Sequence, residues 1–162
     1  MGAIVTPDAV NEMVREHFPG SSNRCIELGA DYAVAELITT PESIRPGGFI
    51  SGPSQFGLAD AALWYLVFVA IGRIEPMALT SELSIRFLRP AVGDRLGARA
   101  TLESRSRRSV IGSVHIWAGD AAHKPTAIAQ GTYALPFPQP WAERREAVRS
   151  PTSTAAEEGS ST

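Results

Sequence analysis

Between Arg45 and Arg73 the chain carries a single charged residue, Asp60. It sits among Leu58, Ala59, Ala61 and Ala62. Burying a carboxylate costs several kcal/mol unless it is paired or partly solvated. Asp60 therefore faces a cleft or a partner group, or else it is an Arg-paired or solvent-facing structural acid. Just upstream runs Gly47-Gly48-Phe49-Ile50-Ser51-Gly52-Pro53-Ser54. Glycines let a backbone approach a ligand closely. Where such a loop opens a helix, free N–H groups favour negative charge and suit a carbonyl oxygen becoming an oxyanion. Pro53 has no N–H, so the donors on offer are Gly52, Ser54 and Gln55. Read alone, the same loop is an ordinary Gly-rich turn.

Other chemistries find little support. His17, His115 and His123 lack metal-ligand spacing, so no metal is expected. Gly52-Pro53-Ser54-Gln55-Phe56 lacks the final glycine of a nucleophile elbow. There is no phosphate-loop or dinucleotide fingerprint. A net charge of -2 does not suit a nucleic-acid binder. Of 15 basic residues only Lys124 is a lysine. The one cysteine, Cys25, excludes an intrachain disulfide and points away from an oxidising compartment. The longest unbroken apolar run, Ala61 to Ile71, has eleven residues, whereas about 20 are needed to cross a bilayer. With no secretory signal visible, the expectation is a cytoplasmic protein without nucleic-acid or membrane partners.

These residues need elements to hold them. Thr6-Pro7-Asp8 reads as a helix start, and Val10, Met13, Val14 and Phe18 recur at helical spacing, predicting a helix over about 7–18. Strand patterns follow at Arg24–Leu28 and Tyr32–Thr39, then a loop from Pro41 to Gly48. The segment 53–72 predicts a long helix, apolar nearly all round and therefore buried on most sides. Four more strands are expected: Ala78–Leu88, Leu96–Arg105, Val110–Ala118 and Thr126–Leu135. In the first, alternation sets Leu79, Leu83, Ile85 and Phe87 on one face and Thr80, Glu82, Ser84 and Arg86 on the other. Short connections imply antiparallel neighbours. The expectation is one α+β domain over 1–135, an antiparallel sheet around one central helix, with 136–162 a Pro/Ser/Glu-rich disordered tail.

Three stretches carry a family resemblance. Gly47-Gly48-x-x-Ser51-Gly52-Pro53-x-x-x-x-Leu58-Ala59-Asp60-x-Ala62 resembles the signature of hotdog-fold acyl-CoA thioesterases of the phenylacetic-acid-degradation type. Leu79-Thr80-x-x-Leu83-Ser84-Ile85-x-Phe87-Leu88-Arg89-Pro90-Ala91 is similar to the family's next strand, and Ala129-Gln130-Gly131-Thr132-Tyr133 to its last.

The resemblance implies a hotdog fold and a homodimer with interfacial active sites, often paired into a homotetramer. It implies an acyl-CoA substrate and no cofactor beyond the coenzyme A of that substrate. It places Asp60 on the catalytic carboxylate, acting as general base or nucleophile. It places Gly52 on the glycine whose N–H polarises the thioester carbonyl, and Thr80 on a hydroxyl that helps position the attacking water. Ser51 stands where the family has a histidine, Arg45 near its loop asparagine, and Pro53 at a second glycine; Ser51 still offers one hydrogen bond. Substrate contacts are expected from Arg45, Ser54, Gln55 and Phe56, and from Trp64 beside Tyr65, although aromatics at helical spacing are also ordinary core. Arg105 and Arg107 suit coenzyme A phosphates or a solvated loop. The alternative function is a non-catalytic hotdog protein that binds acyl-CoA or a small apolar ligand.

Overall fold

Thr6 opens the first helix, its hydroxyl accepting the Ala9 N–H at 3.2 Å. Pro7 fits the first helical position, where its missing N–H has no partner to lose. Helix α1, Pro7–His17, turns Val10, Met13 and Val14 inward. The structure, a computed structural model, describes residues 4–136; all of the expected tail but its first residue lies outside them.

Two strands follow, β1 (Asn23–Leu28) and β2 (Tyr32–Ile38). The loop expected over 41–48 holds a 3-10 turn, Pro41–Ser43, and a minimal hairpin of β3 (Ile44–Arg45) and β4 (Phe49–Ile50). Helix α2, Gly52–Ile71, comes next, then β5 (Leu79–Phe87), β6 (Arg95–Arg105), β7 (Ser109–Ala118) and β8 (Ala127–Ala134). Six strands form one antiparallel sheet in the order β1-β2-β6-β7-β8-β5. Helix α2 packs against all six strands of this sheet. This is the hotdog arrangement, an antiparallel sheet wrapped around one long helix.

Helix α2 starts at Ser51 as N-cap and ends at Gly72, whose φ of 73° is the left-handed conformation glycine adopts at no steric cost. By length and composition α2 could cross a membrane. Its burial against the sheet, with Leu58, Tyr65, Leu66 and Phe68 fully enclosed, is that of a core helix. Close approach is possible because Gly112 and Gly131 face each other across β7 and β8. A Cβ on Gly131 would lie 2.8 Å from the Leu63 side chain and 2.9 Å from the Glu82 carbonyl oxygen.

The face pattern expected for β5 is overturned at one point. From Glu82 to Phe87 the register against β8 is regular, but it shifts between Thr80 and Glu82. A bulge there leaves Ser81 unpaired. Thr80 consequently stands opposite the inward-facing Tyr133, and Leu79 opposite Ala134. Strict alternation puts Leu79 inside and Thr80 outside; the extra residue reverses both. Leu79 is 66% exposed.

Candidate functional site

Asp60 lies on α2 and lines a pocket of about 330 Å³. Thr80 donates its hydroxyl to Asp60 Oδ1 at 2.7 Å. Tyr133 donates to the same Oδ1 at 2.8 Å and lies 3.1 Å from the Asp60 backbone oxygen. Among the described residues Asp60 makes no ion pair, so its charge is held by two neutral hydroxyls and the open pocket. The pocket's apolar wall comes from both helices: Val14 and Phe18 of the α1 segment, Ala61, Trp64 and Tyr65 of α2. Phe18 meets Trp64 edge-on at 5.4 Å between ring centroids. A carboxylate beside an aromatic-lined recess can act on a polar group whose apolar end fills the recess.

The start of α2 is a different environment. Ser51 accepts the Ser54 N–H on its Oγ at 3.2 Å, and the two hydroxyls lie 2.8 Å apart. The Gln55 N–H reaches the Ser51 carbonyl at 3.2 Å. Of the three expected donors, Ser54 is thus engaged by the cap and Gln55 by the first helical hydrogen bond, and only the Gly52 N–H has no acceptor among the described residues. Ser51 serves here as a cap. Gly52 lines a groove with Phe49, Phe87 and Leu88, and a Cβ on it would meet the Phe87 ring at 3.2 Å.

The Gly52 N–H and the Asp60 carboxylate do not meet within one chain. Eight residues separate positions 52 and 60, which at 1.5 Å rise each is about 12 Å of helix. No carbonyl carbon spans that distance.

The remaining expected contacts scatter. Gln55 is buried, and its Oε1 accepts the Thr126 hydroxyl at 2.9 Å, which makes it part of the core. Phe56 is exposed on α2, and Arg45 is exposed on β3 near the Gly52 end. Trp64 lines the Asp60 pocket. Arg105 and Arg107 are exposed at the β6–β7 hairpin. Arg105 pairs with Val110, Val110 with Tyr133, and Tyr133 with Thr80. Arg105 therefore sits on the same row of the sheet as Thr80, three strand spacings or about 14 Å from it. Among the described residues no group of three His, Cys, Asp or Glu side chains forms a metal site.

Sequence reasoning missed Tyr133 and the α1 wall. Tyr133 had a usable signal: it shares the inward period-two face of Ala129 and Gly131, and a buried tyrosine hydroxyl usually finds a partner. The phenol is pushed well above its ordinary pKa, by burial first, with the neighbouring Thr80 hydroxyl opposing and the Asp60 charge adding to the rise. It stays neutral and keeps its proton to donate.

Comparison with known proteins fits this geometry. A thioesterase superfamily model matches residues 47–122, which span the Gly-rich loop, α2, β5 and the whole β6–β7 hairpin. No curated protein sequence matches the chain. Among solved structures, a candidate thioesterase from Silicibacter sp. TM1040 is 29% identical, with 84% of this chain and 95% of that one covered and a TM-score of 0.73. A mutant thioesterase from Pseudomonas aeruginosa is 17% identical over 82% of this chain and 95% of its own, with a TM-score of 0.68. The PaaI protein of the Escherichia coli phenylacetic acid degradation operon is 22% identical over 80% and 89%, at 0.63. The latter two bear on the fold alone. The likeness to hotdog-fold thioesterases read from the motif is therefore shown by a sequence model and by three-dimensional similarity.

Proposed function

As a hotdog-fold protein similar to the thioesterase superfamily, this chain is, we propose, an acyl-CoA thioesterase that works as a homodimer in the cytoplasm. Thioester hydrolysis as the general chemistry is supported by the superfamily match and by the similar structures. The observation that carries the finer reading is the Asp60 carboxylate, set without a counter-ion among the described residues and lining a pocket walled by aromatic rings.

An edge of the sheet supports the dimer reading. Among the described residues strand β5 is an edge with β8 on one side only, nine residues long. Leu79 is 66% and Phe87 50% exposed. A long apolar edge is a template for pairing with another chain. Gly52 abuts the Phe87 end of β5, and Asp60 is bonded to Thr80 at the other end. Antiparallel pairing of β5 with its two-fold copy lays the Phe87 end of one strand beside the Thr80 end of the other. Gly52 of one protomer then faces Asp60 of the partner subunit, which closes the separation found within one chain. Two such dimers would form the homotetramer that the resemblance implies.

In this dimer the acyl group enters the Asp60 pocket and the thioester carbonyl oxygen points to the opposing Gly52 N–H. Asp60 takes a proton from water as it attacks, or attacks directly to form an anhydride that water then opens. Thr80 has its proton on Asp60, so toward water its oxygen can only accept. Collapse of the tetrahedral intermediate releases coenzyme A as thiolate, and Arg105 and Arg107 contribute positive charge for its phosphates. A burst of thiol ahead of acid release would mark the anhydride route.

The test is thiol release from short, medium and aryl acyl-CoAs by wild type and Asp60→Asn. Wild-type turnover with its loss in the variant is expected. Equal rates would reject Asp60, and binding without release would leave an acyl-CoA binding protein.

A further inference from the structure

Resting on that reading, we propose that Tyr133 is the positioning residue of the site: with Thr80 it pins Asp60 Oδ1 and leaves Oδ2 as the working atom. Both hydroxyls converge on one oxygen, at 2.7 Å from Thr80 and 2.8 Å from Tyr133. Oδ2 has no hydrogen-bond partner among the described residues, while Asp60 lines the pocket. An oxygen already accepting two strong donors is a poor base and a poor nucleophile; the free one keeps its lone pairs for water or for the acyl carbon.

Of the two donors, Tyr133 is the one built to hold position. It is 5% exposed, so its ring cannot move without disturbing the core. Its hydroxyl also lies 3.1 Å from the Asp60 backbone oxygen. One phenol thereby gauges both the height of the helix turn and the rotation of the carboxylate. Thr80 is exposed on the edge strand and reaches Oδ1 because the bulge at Ser81 sets it directly opposite Tyr133. The pair clamps the carboxylate from two neighbouring strands. Burial keeps the phenol protonated and hence a donor.

The variant is Tyr133→Phe, which keeps the ring and removes the hydroxyl. With Asp60 freed to rotate, kcat should fall about 10- to 100-fold, since small misplacements of a reacting group cost that much. KM and the thermal midpoint should stay close to wild type. Thr80→Val should lower kcat by less, and the double variant should fall short of the product of the two, because both act through one oxygen. Independently of turnover, the infrared difference between wild type and Asp60→Asn in carbon-13-aspartate protein isolates the Asp60 carboxylate bands. Those bands should shift in Tyr133→Phe, and in Thr80→Val if the tyrosine variant does not fold. An active wild type whose kcat is unchanged in Tyr133→Phe, or carboxylate bands that do not move, would overturn the proposal. A wild type that releases no thiol while the bands do shift rejects the thioesterase reading and leaves the clamp standing.

Discussion

The start of helix α2, at Gly52, and its middle, at Asp60, differ in almost every property that matters for chemistry. The Gly52 end offers one unengaged backbone N–H in a shallow groove edged by Phe49, Phe87 and Leu88, with no carboxylate. The Asp60 end offers a carboxylate clamped by two hydroxyls above an aromatic recess. In the proposed reaction the first stabilises negative charge and the second handles a proton or attacks a carbon. Neither is a hydrolytic site alone, and the same strand, β5, runs past both. In the proposed dimer, a site divided between the ends of an edge strand would make activity depend on dimerisation.

The sharpest break of this comparison is Asp60→Asn, which keeps the side chain's shape. Thiol release should drop by about 10²- to 10⁴-fold, the usual range for loss of a general base. At the other end Gly52→Pro removes the free N–H. Ser51, with φ -66° and ψ 151°, already has the conformation a following proline requires. Turnover should fall by about 10²- to 10³-fold, the usual result of deleting an oxyanion donor. Mixing the two inactive variants tests the division directly. Randomly formed mixed dimers carry one intact site, so about a quarter of wild-type activity should return. No recovery after subunit exchange would mean that the two ends do not cooperate across an interface.

Smaller perturbations sharpen the picture. Ser84→Glu adds an acid near the centre of β5, two residues from Glu82. Antiparallel self-pairing brings like charges together, so the dimer should weaken by about tenfold in analytical ultracentrifugation. Specific activity should fall with dilution in step with the dimer. The smallest effect is expected from Phe18→Ala, which opens the α1 wall of the pocket. Relative kcat/KM should move toward longer acyl chains by about three- to tenfold, the scale on which apolar pockets discriminate. An unchanged chain-length profile would take Phe18 out of the acyl site.

Much of the scaffold was legible because its signals are local. The Thr6-Pro7 start, the Gly72 stop and the helical period of Val10, Met13 and Val14 depend on nearest neighbours along the chain. The apolar run in α2 required a wrapping sheet without saying which strands would supply it. At the site, Asp60 stood out by charge alone. The separation of Gly52 from Asp60 also follows from their numbering once both lie on one helix. Ser54 and Gln55 looked like donors because their engagement depends on whether Ser51 caps the helix, a matter of its dihedral angles. Gln55 read as a substrate contact because nothing nearby in sequence announces Thr126.

What the sequence alone determined, then, was the element order, the buried central helix and the one carboxylate that needs a reason to be there. Tertiary structure decided which groups surround that carboxylate. The bulge at Ser81 turns Thr80 inward. Strand β8 delivers Tyr133 from 73 residues away, and α1 folds back to wall the pocket with Phe18. The physical reason is range. Capping and periodicity act over a few residues of chain, whereas register, bulges and cavity walls arise only when distant segments compete for the same space.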